Sequence, residues 1–261
     1  MIAPAWLFRR TPADLLFVIL SAAGLAFCLY PFWAPAQVAL PESRLTLIAL
    51  SGAVGLVLIG LLAEAQSGLT AATVAMVGTL VGLNTVLRLI DNLIPLPGGF
   101  TPVFLLTMLV GHGFGARLGF LMGALTMLVS GPLTAGGIGP WTPYQMLGAG
   151  WVGMGAAWLP RGRAALPALA AYGALWGFLY GALTNLSFWP FAILAPDLAW
   201  RAGLGLLSTV LRYGRFYLVT SLAWDAMAAV GNLLLVAALG PSLLKAFDRF
   251  RRRAHVVWEP A

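Results

Sequence analysis

Apolar residues fill eight stretches of the chain, at 14–33, 45–64, 69–90, 101–114, 117–132, 143–159, 166–188 and 216–240, each ended by Pro, Gly or a charge. Helices that cross a bilayer need roughly 17 to 25 apolar residues, and most of these stretches reach that length. The fourth is short, and GHGFGAR at 111–117 predicts a tight turn joining it to the fifth, with two glycines flanking His112. The pattern predicts an all-α integral membrane protein.

The connections fall into two sets. AEAQSG, GHGFGAR and PRGRAAL are short, whereas 33–44, DNLIPLPGGF at 91–100, SGPLTAGGIGPWTPYQMLGAG at 130–150 and the segment from Asn185 to Arg215 are long. Long loops in compact proteins are functional or disordered, and Phe188, Trp189, Phe191 and Trp200 supply too many aromatics for disorder. With the N-terminus inside, Arg9, Arg10, Arg117, Arg161, Arg163 and the basic tail are cytoplasmic, ten basic residues against five (Arg44, Arg88, Arg201, Arg212 and Arg215) on the other side. Basic residues accumulate on the cytoplasmic side, so both termini are expected inside and the longer loops form an outer lid. Arg9 and Arg10 before an apolar run resemble a signal peptide, but no polar cleavage region follows Phe27 to Trp33, so the run is read as a retained helix.

Composition narrows the function classes. With 61% hydrophobic and 9% charged residues, the chain does not suit a soluble domain. Cys28 is the single cysteine, which excludes an intrachain disulfide or a cysteine metal site. The net charge of +7 could suggest nucleic acid, yet five of the fifteen basic residues lie between Lys245 and Arg253, where contact with anionic headgroups accounts for them more simply.

Polar groups at membrane depth are costly and therefore informative. Asp225, in LAWDAMAAVGN, lies nine residues into the stretch 216–240. That is a rise of about 14 Å, which puts it near the bilayer midplane. Asn232, two turns on, shares its face. The pair either clamps helices together or contacts a ligand. Asn84, Arg88 and Asp91 form a row at the outer end of the third helix, which either pairs internally or presents a cation and an amide to a polar ligand. Asn185 ends the seventh helix beside the same region, with Tyr180 deeper.

Trp141, Tyr144, Trp189 and Trp200 offer broad amphipathic faces for a ring-rich ligand, and Gln145, Asn84, Arg88 and Asn185 could fix its polar edges. An interfacial aromatic belt is the better reading for Trp33, Trp158 and Trp200. No catalytic residue, cofactor or metal is expected. His112 has only His255 as a second imidazole and is read as a turn histidine at the membrane surface. Ser130 has neither a GxSxG setting nor a base on its side. GxxxxGK[ST] is missing and Lys245 is the one lysine, so this polypeptide does not hydrolyse ATP. Ala71 and Ala75, continued by Gly78 and Gly82, give small-xxx-small spacing that permits close helix contact, either with a partner or within the same chain.

Taken in order, FTPVFLLTMLVGHGFGARLGFLMGALTMLVSG, GPWTPYQMLGAGWVGMGAAWL and LVTSLAWDAMAAVGNLLLVAALGPSLLKAF resemble the substrate-binding S component of an energy-coupling factor vitamin transporter. The resemblance covers about 69 to 253 and rests on the order of the helices and the GPWTPxQM element. It implies a six-helix membrane bundle that captures a vitamin-class small molecule in an outward pocket, in the plasma membrane of a prokaryote. Its partners would be a transmembrane coupling subunit and two ATPase subunits, and the bundle would topple in the membrane to release substrate inward. The third helix would be the family's first, with Ala71 and Ala75 docking on the coupling subunit. GPWTPYQM is most similar to members assigned to cobalamin or related corrinoids.

Two departures stand out: two extra helices precede the usual core, and the segment 185–215 is long. The expected organisation is therefore 1–66 with two extra transmembrane helices, 67–253 as the six-helix domain, and 254–261 as a cytoplasmic tail. Two other readings stay open. An intramembrane enzyme acting on a lipid or prenyl substrate would use Asp225 and Arg88, but aspartate-rich motifs are lacking. A secondary transporter would use Asp225 as a proton site, but internal repeats common in that class are not visible.

Overall fold

A computed structural model of the chain describes residues 12–33, 42–66, 71–93, 101–134, 136–139 and 141–254. Arg9, Arg10, most of the predicted outer loop 33–44, residues 94–100 of DNLIPLPGGF and the tail from His255 lie outside the described residues. Nine α-helices are formed among them: α1 (Pro12–Cys28), α2 (Glu42–Gln66), α3 (Ala71–Leu93), α4 (Val103–Phe114), α5 (Ala116–Ser130), α6 (Thr142–Ala156), α7 (Ala165–Asn185), α8 (Leu206–Thr220) and α9 (Leu222–Ala254). No strand occurs among the described residues. Among the described residues, five helical segments are long and apolar enough to cross a membrane: Leu47–Glu64, Ala71–Leu93, Ala116–Leu133, Gly162–Phe191 and Leu222–Phe250. The chain is an all-α, multi-pass membrane protein.

Glycine sets the packing at the centre. A side chain on Gly153 of α6 would collide with the Gly119 backbone of α5, and one on Gly123 would collide with that of Ala149. Gly111 of α4 meets the Gly153 carbonyl in the same way. Without side chains in between, three helix backbones approach closely and gain dispersion contact, which drives helix association where lipid removes the hydrophobic incentive. Every residue of α4 from Val103 to His112 is buried, so a helix too short to span a bilayer is sheathed by protein. Its turn into α5 is one residue, Gly115, at φ 108°, a conformation that favours glycine.

A second glycine stripe, Gly173, Gly177 and Gly181 on α7, receives α9. Gly177 lies under Ala229, Gly181 under the Asp225 carboxylate, and Asn232 Nδ2 donates to Gly173 O at 2.9 Å. The buried Asn232 is thus a helix clamp.

The first two helices belong to this core. Phe17 of α1 sits edge-on to Phe120 of α5 at 5.0 Å, and Trp151 Nε1 of α6 donates to Ser21 Oγ at 2.6 Å. Arg117, at the start of α5, joins both helices: its Nε lies 3.4 Å from Asp14 Oδ1 and 3.0 Å from Glu64 Oε1. At the opposite end Trp200 Nε1 donates to Pro31 O at 2.9 Å, and Phe32 packs on Trp189 and Tyr213.

Three expectations change. The stretch 216–240 is not one helix: the chain breaks at Ser221, whose φ of −132° leaves the helical range and separates α8 from α9. The last helix does not stop at Pro241 but runs on to Ala254, so most of the basic tail is helical. His112 is not a surface turn residue. It lies buried in the last turn of α4, with Nδ1 3.4 Å from Ala156 O.

Candidate functional site

Asn84 and Arg88 stand one turn apart on α3, and Thr126 and Ser130 one turn apart on α5, so the contact of these helices sets two polar pairs face to face. Asn84 is fully buried. Its Nδ2 faces Val103 O at 3.0 Å, Thr126 Oγ1 at 3.3 Å and Thr107 Oγ1 at 3.4 Å. Both threonines donate their own protons to helix carbonyls, Thr107 to Val103 O and Thr126 to Met122 O. They therefore offer lone pairs to Asn84 and fix the orientation of its amide. That leaves Asn84 Oδ1 buried with no hydrogen-bond partner, a condition that costs about 1–3 kcal/mol.

Arg88 extends this layer. Its Nη1 donates to Ser130 Oγ at 2.5 Å and its Nη2 to Gln145 Oε1 at 3.0 Å. The row along α3 makes no direct ion pair: Asp91 accepts from the Thr101 side chain and feels the Arg88 charge, while Arg88 hydrogen-bonds two neutral partners on α5 and α6. Among the described residues no carboxylate lies within ion-pair distance of Arg88. Tyr180 of α7 flanks the group, edge-on to Phe104 at 4.8 Å and lying over Gly148.

Asn185 and Asp225 form a second group at the same end of the bundle. Asn185 Nδ2 donates to Ser221 Oγ at 2.6 Å, and Tyr217 hydrogen-bonds the Asp225 carboxylate. Burial and the nearby Asp225 charge hold the Tyr217 phenol well above its ordinary value, so it stays protonated and remains a donor. Asp225 Oδ2 is buried with no hydrogen-bond partner. The carboxylate stands in the first turn of α9, not nine residues into a helix, because of the break at Ser221. There the helix dipole favours a negative charge. Tyr180 faces α4 and α6 while Gly181 faces α9, so α7 separates this group from Arg88.

The aromatics expected to face a ligand are placed differently. Trp189 is fully buried, stacked on Phe216 at 5.9 Å and donating Nε1 to Leu198 O. Tyr144 is buried too, its ring 6.3 Å from Phe27 of α1. One residue further along α6, a rotation of about 100°, Gln145 points at Arg88. Trp141 is 37% exposed and folds back over Gly139 and Gly136 of its own loop. That loop is compact, closed by a hydrogen bond from Gly139 N to Thr142 Oγ1 at 2.9 Å. Trp200, whose indole donates to Pro31 O, joins the segment before α8 to the turn that follows α1.

Comparison of the chain with known protein families, curated proteins and solved structures gives no match.

Chemically, the first group has the parts that a polar ligand needs. A guanidinium bonded to two neutral acceptors can also attract an anionic or electron-rich partner, and the Asn84 carbonyl oxygen is an unused acceptor. Sequence reasoning assigned neither Thr107, Thr126 nor Ser130 to it. The signal was present, since Asn84–Arg88 and Thr126–Ser130 are polar pairs at the same i, i+4 spacing in otherwise apolar helices. Only the packing of α3 on α5 shows that they face each other.

Proposed function

We propose that the chain is the substrate-binding S component of an energy-coupling factor importer in a prokaryotic plasma membrane. It captures a vitamin-class small molecule, with a corrinoid such as cobalamin as the first candidate, beside Arg88, Asn84 and Gln145. The observation that carries this reading is the Arg88 guanidinium, half-buried between three helices and hydrogen-bonded only to neutral groups. A structural arginine at that depth is normally matched by a carboxylate, as Arg117 is by Asp14 and Glu64. Trp141 stands at the N-terminus of α6, one turn before Gln145, and its part-exposed indole, lying over Gly136 and Gly139, is the aromatic surface offered to a planar ligand.

The surface of α3 fits a coupling partner. Ala71, Ala75, Gly78 and Gly82 lie along its exposed side, and a side chain added at either glycine would meet nothing within 4 Å. The stripe is free to receive another helix, in keeping with docking on a transmembrane coupling subunit that works with two ATPases. The basic ends of α5, α7 and α9 face the cytoplasm in this arrangement, and Arg88 opens outward.

Purified protein titrated with a vitamin panel, cobalamin and riboflavin first, tests the reading. Arg88→Gln is expected to weaken binding by about tenfold or more, the loss of a charged hydrogen bond. Ala71→Leu with Ala75→Leu should abolish uptake and copurification of the coupling subunit while leaving binding intact. Folded protein that binds no vitamin, or that turns over a lipid or prenyl substrate, overturns the proposal.

A further inference from the structure

At the opposite end of the bundle a cavity of about 260 Å³ opens between α4, α9 and the turn leading into α7. Arg161 and Lys245 bring two positive charges to its wall, against one carboxylate, Asp248. Arg161 is held in place by its own donation from Nη2 to His112 O at 2.7 Å, and His112 is the other titratable group on the wall. The N-terminus of α7 lies beside it: Gly162 and Ala165 line the cavity, and the Ala164 cap position contributes no side-chain hydrogen bond. The rest of the wall is apolar, formed by Leu109, Leu244 and Phe247.

We propose that this cavity binds the phosphate of an anionic phospholipid, with Lys245 and Arg161 as its cationic partners. The two candidate spans that border it begin at Gly162 and end at Phe250, so the cavity lies where headgroups lie. A phosphate suits the net positive wall and the start of a long helix, where dipole and amide protons favour an anion. The apolar half of the wall is what a glycerol backbone and the first acyl carbons require and a free anion does not. The volume admits a headgroup and excludes a bulky solute. Anionic lipids gather where basic residues do, and Arg249 follows Lys245 one turn further along α9. The inference is independent of what binds beside Arg88.

The test uses the full chain in neutral detergent, titrated with phosphatidylglycerol, phosphatidylcholine or inorganic phosphate and read by the thermal unfolding midpoint and by native mass spectrometry. Phosphatidylglycerol is expected to raise the midpoint and remain as a discrete one-lipid adduct, with phosphatidylcholine and phosphate doing neither. Arg161 also supports His112, so the informative variant is Lys245→Gln, compared with Arg249→Gln one turn on and outside the cavity. Lys245→Gln should weaken the phosphatidylglycerol effect by about tenfold and Arg249→Gln by less than about twofold. Equal losses in the two variants mean diffuse attraction to a basic surface and overturn the proposal. So does phosphatidylcholine acting as well as phosphatidylglycerol. Phosphate matching phosphatidylglycerol identifies a free-anion site and overturns the lipid assignment.

Discussion

Replacing Gly153 by alanine puts one methyl group where the structure leaves no room. The added Cβ would fall on the Gly119 carbonyl and within 2.9 Å of the Gly119 Cα, all of it backbone that no rotamer change can move. Ordinary contact returns only if α5 and α6 part by about 1.4 Å, and a gap of even 0.5–1 Å already forfeits roughly a quarter to a half of each dispersion contact it opens. The affected contacts run along both helices, through buried Phe120, Met122, Met146 and Val152. Overpacking of this kind costs about 1–3 kcal/mol. A backbone obstruction belongs at the upper end, so about 3 kcal/mol, or roughly a hundredfold in the unfolding equilibrium, is expected. Gly82→Ala is the control: nothing lies within 4 Å of its added methyl, and helix propensity alone favours it by up to about 1 kcal/mol. Reversible unfolding of both variants in mixed micelles, followed by circular dichroism against denaturing detergent, measures the difference. Equal stability of Gly153→Ala and wild type would refute the close approach of α5 and α6.

Two further outcomes follow from the polar contacts. Arg117→Met leaves Asp14 and Glu64 facing each other in a largely buried site and should destabilise by about 3–5 kcal/mol. Adding Asp14→Asn and Glu64→Gln to that variant should recover most of the loss, and a triple variant no better than the single one contradicts the ion cluster. Asn232→Leu removes the amide that donates to Gly173 O, and an unfolding loss of about 1 kcal/mol is expected with vitamin binding unchanged; a selective loss of binding would make Asn232 part of the site.

The apolar periodicity was enough to place seven of the helices to within a few residues, because a spanning helix must satisfy its own backbone and its ends are marked by Pro, Gly and charge. It missed the break at Ser221, since a stretch rich in apolar and aromatic residues reads as helix on either side of one residue that leaves the helical conformation. That single break moved Asp225 from mid-helix to a first turn. It also joined the end of α8 to α9 and left 206–215 in the long loop, hiding an amphipathic helix whose Thr209 and Phe216 face inward while Leu206, Leu207, Leu211 and Leu218 are exposed.

The candidate site was half visible. Asn84, Arg88 and Gln145 stood out as polar residues in apolar surroundings, and the structure brings these three to one layer. Trp189 and Tyr144 stood out for the same kind of reason, yet both are core. A large amphipathic ring fills an interior as readily as it lines a pocket.

By itself the sequence determined that this chain lies in a membrane, that it is helical, and which few polar residues interrupt its apolar helices, because solvation and backbone hydrogen bonding act on composition and period alone. Only the tertiary structure decided which glycines are contact points, that α1 and α2 are bolted to the core by Arg117, and that Arg88 has neutral partners. These depend on which helix faces which, a property set by the fit of backbones and side chains across long sequence separations. Neighbours along the chain do not encode it.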